Sequence, residues 1–207
     1  MSTNVYNLLA AAVTELELGL PTDTVVKLVD YLRLLDKWNQ VHNLVAKSSL
    51  ETMLIRHLLD SLVVAPYVVG PKVLDYGTGA GLPGIPLALA LPSCSFTLVD
   101  SVAKKMVFLQ QVLFRLELKN VKIIKGRVEK IQFDDLFDTI VTRATDPMKK
   151  VVARAWKLSK VGGQLLLMKG KYPVVELKEV EETCEVLPLS VPGLSEERHL
   201  VRLIKVK

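Results

Sequence analysis

Residues 73–86 read V-L-D-Y-G-T-G-A-G-L-P-G-I-P, and the fold of the chain follows from how that stretch is parsed. The short apolar run Lys72-Val73-Leu74 closes on Asp75 and opens into glycines at 77, 79, 81 and 84, as a buried strand does when it hands over to a ligand-cradling turn. Glycine lets backbone N–H groups approach a ligand closely, with no Cβ in the way and positive φ accessible. The dinucleotide fingerprint spaces its glycines G-x-G-x-x-G, the third serving close helix packing beneath a pyrophosphate. Here the spacing is Gly77-x-Gly79-x-Gly81, with an acid two residues before the first glycine. That spacing keeps the loop open and leaves no obvious diphosphate for it to serve.

The D-x-G-x-G-x-G pattern resembles the first motif of the class I S-adenosylmethionine-dependent methyltransferases, whose ligand carries a sulfonium and an amino acid rather than phosphates. The following residues extend the reading. Leu82 to Leu91 is mostly Leu, Ala and Ile, and after Pro92 a second strand, Ser95–Val99, ends in Asp100, nineteen residues beyond Gly81. In an open parallel sheet an acid at the end of the second strand lies beside the first glycine loop, where its two oxygens can accept both ribose hydroxyls of a nucleoside. Asp100 is therefore the candidate ribose ligand. Asp100 or Ser101 is equally able to cap the next helix, and the two readings coincide at the strand's end.

Length and composition bound the rest. A chain of 207 residues, half of them hydrophobic, can bury a full core and fits one domain with an appendage. Two cysteines, Cys94 and Cys184, offer neither a disulfide framework nor a zinc site, and the three histidines are scattered without ligand spacing, so no metal is expected. A reducing cytoplasm is the expected home. The longest uncharged run, Tyr76–Val99, is long enough to span a bilayer but holds three prolines and four glycines, and Met1–Thr14 has no basic leader region, so neither membrane insertion nor export is expected. The formal charge is +5. Residues 1–70 carry five Lys/Arg against seven Asp/Glu, whereas 71–207 carry twenty-two against fifteen, so the positive excess lies wholly with the glycine loop and fits a polyanionic substrate such as nucleic acid.

Residues 1–70 read as a helical segment. Val5, Leu8, Leu9, Ala12, Val13 and Leu16 keep helical spacing up to Gly19-Leu20-Pro21. Thr22 is placed to cap a second helix striped with Leu28, Leu32 and Leu35. A third starts at Ser48 with Glu51 as its capping box, decorated by Arg56, His57, Asp60 and Ser61. His57 reads as a partly buried histidine hydrogen-bonded to a neighbour. From 71 to 207 strands and helices alternate as in a doubly wound α/β sheet: a helix with Val102, Met106, Leu109, Leu113 and Leu116 as its stripe, then strands Val121–Lys125 and Phe137–Thr142. The fourth strand ends at Arg143-Ala144-Thr145, and a helix follows over Met148–Ser159, where Lys150, Arg154 and Lys157 form one face, read as solvated. A fifth strand, Gly163–Met168, delivers Lys169-Gly170-Lys171 to the edge of the sheet that carries Asp75, Asp100 and Arg143. Ligands sit beyond the carboxyl ends of such strands, so a basic residue there is more telling than one on a helix flank. Pro173–Glu185 is expected to be a last helix, and Val186–Val191 with Arg198–Val206 an antiparallel hairpin closing the sheet.

L-D-K-W-N at 35–39, H-N-L at 42–44, R-H-L-L-D-S at 56–61, the glycine loop, L-V-D-S at 98–101, R-V-E at 127–129, T-R-A at 142–144, M-K-G at 168–170 and E-R-H-L-V at 197–201 together resemble the glucose-inhibited division protein B family over nearly the whole chain. The resemblance implies a class I methyltransferase fold, Rossmann-like with an antiparallel C-terminal hairpin, preceded by the helical segment. It implies S-adenosylmethionine as cofactor and guanine N7 of small-subunit ribosomal RNA as acceptor, presented as RNA or as the small ribosomal particle, to a cytoplasmic monomer. Cofactor contacts are implied for Gly77, Leu82, Val128, Glu129 and Arg143. With the loop and second strand, the candidate cofactor set is Asp75, Gly77, Thr78, Gly79, Gly81, Leu82, Asp100, Ser101, Val128, Glu129 and Arg143. Arg143 and Lys169 are the candidates for positioning and electrostatic work at the reacting centre. Lys104, Lys105, Lys169, Arg198 and His199 are the candidate RNA contacts. Tyr76 departs from the family pattern, where an aliphatic residue is usual, and Thr142 stands where Ser is expected.

Two rivals remain in view: a nicotinamide-dependent oxidoreductase, which lacks its third glycine and any hydride-transfer constellation here, and an RNA-binding module with a pocket but no turnover. The acceptor atom is narrowed by absences from the sequence. Exocyclic amine transfer goes with an Asn/Asp-Pro-Pro-Tyr type of motif after the fourth strand, and 143–148 reads R-A-T-D-P-M; transfer to a pyrimidine ring carbon needs a cysteine, and neither cysteine follows a strand end.

Overall fold

A computed structural model describes residues 2–143 and 146–206. The expected strand-end residues Ala144 and Thr145 lie outside the described residues. Helices α1 (Ser2–Glu15) and α2 (Thr22–His42) pack through Leu9, Val13, Leu28, Leu32 and Leu35, all buried. Thr22 is the first residue of α2 rather than its cap: Pro21 occupies that position and makes no side-chain cap bond. The cap of α3 (Leu50–Met53) is Ser49, one residue beyond the expected Ser48. Its hydroxyl accepts from the Thr52 N–H at 3.1 Å and pairs with the Thr52 hydroxyl at 2.9 Å, so Thr52 takes the place expected of Glu51. The helix then widens into a π-helix over Leu54–Leu59 before closing as α4 (Asp60–Leu62). π-helical turns are rare, and frequent at functional sites.

Seven strands form one sheet in the order β3-β2-β1-β4-β5-β7-β6. β1 (Lys72–Tyr76), β2 (Ser95–Asp100), β3 (Val121–Lys125), β4 (Phe137–Thr142) and β5 (Ser159–Lys169) are parallel, while β7 (Arg198–Ile204) runs antiparallel between β5 and β6 (Glu185–Leu189). The expected doubly wound sheet with a closing hairpin is therefore present. The helix expected over Pro173–Glu185 is a single turn, α8 (Val174–Leu177). Val174 and Val175 are exposed, Leu177, Val180 and Cys184 pack only partly against the second core, and Glu179, Glu181 and Glu182 crowd like charges where a second turn would form.

Side chains alternate across the sheet into two cores. On one face Val73, Phe96, Leu98, Val141 and Leu200 share a cluster with α1 to α4, α5 (Gly84–Ala90) and α6 (Ala103–Leu116). On the other, Leu74, Val99, Ile140, Leu165 and Leu203 pack against α7 (Met148–Ala155). Residue 70 marks a change of pattern but no break in the core, because the helical segment forms one layer over the sheet.

Candidate active site

The strand order reverses between β1 and β4, and a cavity lies on either side of that switch, beyond the carboxyl ends of the strands, where ligands bind in such sheets. Over β3, β2 and β1 is a cavity of about 230 Å³ lined by Tyr76, Gly77, Asp100, Ser101, Val128, Glu129, Asp146 and Arg154 among others. Over β4, β5 and β7 is a cleft of about 820 Å³ whose lining includes Arg56, His57, Asp60, Arg143, Lys169, Arg198 and His199.

The smaller cavity is built by the glycine loop. Gly77 and Gly79 have φ of +71° and +62°, the left-handed region that only glycine enters cheaply. A Cβ on Gly79 would meet nothing closer than the Lys105 ammonium at 3.7 Å, so there is open space at this position, although of the two glycines only Gly77 lines the cavity. Gly81 is different: a Cβ there would lie 2.5 Å from Ile85 Cγ1 and 2.8 Å from Leu109 Cδ2, so this glycine lets the loop pack on α5 and α6.

Asp75 is fully buried beneath the loop and lines neither cavity. Its Oδ2 accepts from the Thr78 hydroxyl at 2.6 Å and from the Gly84 N–H at 2.7 Å, while Oδ1 has no partner among the described residues. Burial pushes its carboxyl up to about 7, against the pull of those two bonds. Asp75 and Thr78 thus shape the loop from below, and the buried Leu82 and Gly81 pack it. From the opposite side Tyr31, fully buried in α2, donates to the Ala80 carbonyl at 2.9 Å, a brace between the helical layer and the loop that no local motif announces.

Asp100 lines the cavity and also caps. Its Oδ2 accepts from the Gly79 N–H at 2.9 Å and its Oδ1 from the Val102 N–H at 2.8 Å. Oδ1 keeps a second lone-pair direction, so a ribose hydroxyl can still be taken, whereas Oδ2 also accepts from Lys105 Nζ. Lys105 faces Asp100 at 3.5 Å, and Lys104 donates to the His42 carbonyl at 2.7 Å. Neither lysine lines the larger cleft, so the expected flanking pair is tied to the loop and to the end of α2 instead.

The larger cleft brings together Arg143, Lys169, Arg198 and His199, as expected, but Arg143 lines this cleft and not the smaller cavity. Two of its cations, Arg143 and Arg198, share an acid. Asp60, side chain only 5% exposed, accepts from Arg198 Nε at 2.9 Å and Arg143 Nη1 at 3.2 Å. Lys169 donates to both oxygens of Glu176 at 2.9 and 2.8 Å, and Arg56 pairs with Glu196. His199 Nδ1 lies 2.8 Å from the Gly170 carbonyl. His57 is half-buried as expected, but its Nδ1 finds no partner among the described residues; burial and the charge of Arg143 push its pKa down to about 4, so it is neutral at pH 7. No local pattern brings Arg56 and Asp60 here; they arrive from the π-helical turn and the residue after it. Among the described residues no group of three or more His, Cys, Asp or Glu could hold a metal ion, and no helix is long and apolar enough to cross a membrane.

Residues 24–201 match the family model described as rRNA small subunit methyltransferase G. The chain belongs to that family. Its relatives in the family include the ribosomal RNA small subunit methyltransferase G of Coxiella burnetii (strain Dugway), 44% identical over 94% of this chain and 96% of that protein. The Nitrosococcus oceani protein of the same name is 44% identical over 95% and 94%. Among solved structures, an O-methyltransferase of Streptomyces achromogenes involved in tomaymycin synthesis, in complex with S-adenosylmethionine, superposes with a TM-score of 0.59 over 86% of this chain and 89% of its own, at 16% identity. That likeness bears out the class I methyltransferase fold, and the family match bears out the resemblance of the motifs.

Proposed function

We propose that this family member transfers a methyl group from S-adenosylmethionine to N7 of one guanine in small-subunit ribosomal RNA, acting as a cytoplasmic monomer on the RNA or on the small ribosomal particle. The observation that carries the reading is the pair of cavities flanking the strand-order switch: a glycine-rimmed one with an acid at the end of β2, and a wide one lined with arginine and lysine. In this reading Gly77 and Gly79 present backbone to the cofactor, Asp100 takes the ribose hydroxyls, and Val128 and Glu129 meet the adenine edge. Arg143, Lys169, Arg198 and His199 hold the acceptor guanosine and its neighbouring phosphates.

The cofactor supplies an electrophilic methyl on a sulfonium. Guanine N7 carries its own lone pair, so no side chain has to remove a proton; the new C–N bond forms as the C–S bond breaks, and the positive charge passes to the methylated purine. The protein's part is positioning. Asp60 and Glu176 hold Arg143, Arg198 and Lys169 in place, and their negative charge limits repulsion of the cationic product. N7 lies in the deep groove of A-form RNA, so the target guanine is unpaired or flipped out.

The test is calorimetric titration with S-adenosylhomocysteine and, separately, with NAD, followed by methyl incorporation into small-subunit RNA from cells lacking the enzyme. Binding of the first ligand alone, with incorporation, is expected. Binding of NAD would favour an oxidoreductase, and cofactor binding without incorporation a non-catalytic RNA binder.

A further inference from the structure

Arg154 does not belong to a solvated helix face. It extends from α7 into the lining of the smaller cavity. Its Nη1 donates to the Tyr76 hydroxyl at 2.7 Å and to Asp146 Oδ2 at 2.8 Å, and its Nη2 stands 3.9 Å from Glu129 Oε1, an ion pair rather than a hydrogen bond. The Tyr76 hydroxyl in turn donates to Asp146 Oδ2 at 3.3 Å. The guanidinium is therefore held from three directions: the end of β1, the approach to α7 and the turn after β3. Tyr76 is 9% exposed and packed into the second core. An aliphatic side chain there would leave Arg154 without its closest partner.

The chemistry of this arrangement is one-sided. Glu129 and Asp146 offer carboxylate acceptors, while Arg154 commits Nη1 to Tyr76 and Asp146 and turns Nη2 towards Glu129. An edge lined with fixed acceptors suits a purine bearing an exocyclic amine and opposes one bearing a carbonyl at the same position. We propose that Arg154, locked by Tyr76, is a positioning residue that holds the Glu129 carboxylate at the purine edge and so makes the pocket select adenine over hypoxanthine. The inference rests on the reading of this cavity as the adenosine pocket.

Titration of the full chain with S-adenosylhomocysteine and with S-inosylhomocysteine, its oxo analogue, tests it. The wild type should prefer the adenosine ligand by about a hundredfold, the upper end for one hydrogen bond to a charged acceptor, because the analogue turns a carbonyl instead of an amine towards the carboxylates. Arg154→Met should cut that preference to below about tenfold, Arg154→Lys should restore only part of it because the planar fork is lost, and Tyr76→Phe should fall between Arg154→Met and wild type. A merely structural role would weaken both ligands equally and leave the preference unchanged, which overturns the proposal, as does a wild type that binds both alike. If Arg154→Met fails to fold, Tyr76→Phe alone decides. A wild type that binds neither ligand overturns the cofactor reading, and the proposal falls with it.

Discussion

The two halves of the sheet's carboxyl edge are built by opposite means. Over β3, β2 and β1 the cavity is rimmed by loop backbone, with Gly77 at positive φ and with Asp100 held by the N–H groups of Gly79 and Val102. Over β4, β5 and β7 the cleft is made of long side chains, Arg56, Arg143, Lys169 and Arg198, held in place by acids that are distant in sequence in all but one case. A half built from backbone depends on conformation, and a half built from paired charges depends on partners. Substitutions should therefore fail differently on the two sides.

The largest contrast lies within the loop itself. Gly81→Ala should cost about 2–4 kcal/mol of stability, combining left-handed strain with overpacking against Ile85 and Leu109, and lower the urea midpoint accordingly. Gly79→Ala, with space around it, should cost only the strain of about 1–2 kcal/mol yet lose cofactor affinity at least as severely. Equal destabilisation by the two would break the distinction between a packing glycine and a ligand-facing one.

Across the switch, Asp60→Asn should leave S-adenosylhomocysteine affinity within twofold while slowing methyl transfer, because Arg143 and Arg198 lose a charged acceptor worth about 1.5–3 kcal/mol, roughly ten- to hundredfold in rate. Asp100→Ala should do the reverse, weakening the cofactor by about 1.5–3 kcal/mol with RNA affinity unchanged. Parallel losses in both assays would mean that the two cavities are not separable.

A subtler contrast is in pH dependence. Asp75, beneath the loop, has its carboxyl raised to about 7, so its contribution to stability is greatest below pH 4 and is lost as pH rises through 7. His57, beside the cleft, is lowered to about 4, so its contribution is complete above the ordinary histidine value near 6.5 and is lost as pH falls towards 4. Urea midpoints at pH 5 and pH 7 should therefore shift in opposite senses in Asp75→Asn and His57→Gln relative to wild type. Shifts of the same sign would contradict the environments assigned to these groups.

The same division explains what was legible in the sequence. β2, β3 and β4 run over the residues their apolar patterns predict, and the glycine loop could be read because its function is written in contiguous spacing. The helix expected over Pro173–Glu185 stops after one turn because its apolar residues are only partly buried and its glutamates repel one another, a balance that acidic composition alone does not reveal. Asp60 and Arg56 reach the cleft only through a π-helical turn, and Tyr31 reaches Ala80 across 49 residues, so no local pattern carried them. Arg154 shares its sequence spacing with Lys150 and Lys157, and only its contacts with Tyr76, Asp146 and Glu129 separate it from them.

The most direct test of the account is to incubate undermethylated small-subunit ribosomal RNA, free and as the particle, with the protein and S-adenosylmethionine, then treat it with borohydride and aniline, which cleave at guanines methylated on N7. One new cleavage site, absent with the Asp60→Asn variant under the same brief exposure, is the predicted result. Methyl incorporated with no new cleavage site would contradict transfer to guanine N7 and, with it, the role given to the cationic cleft.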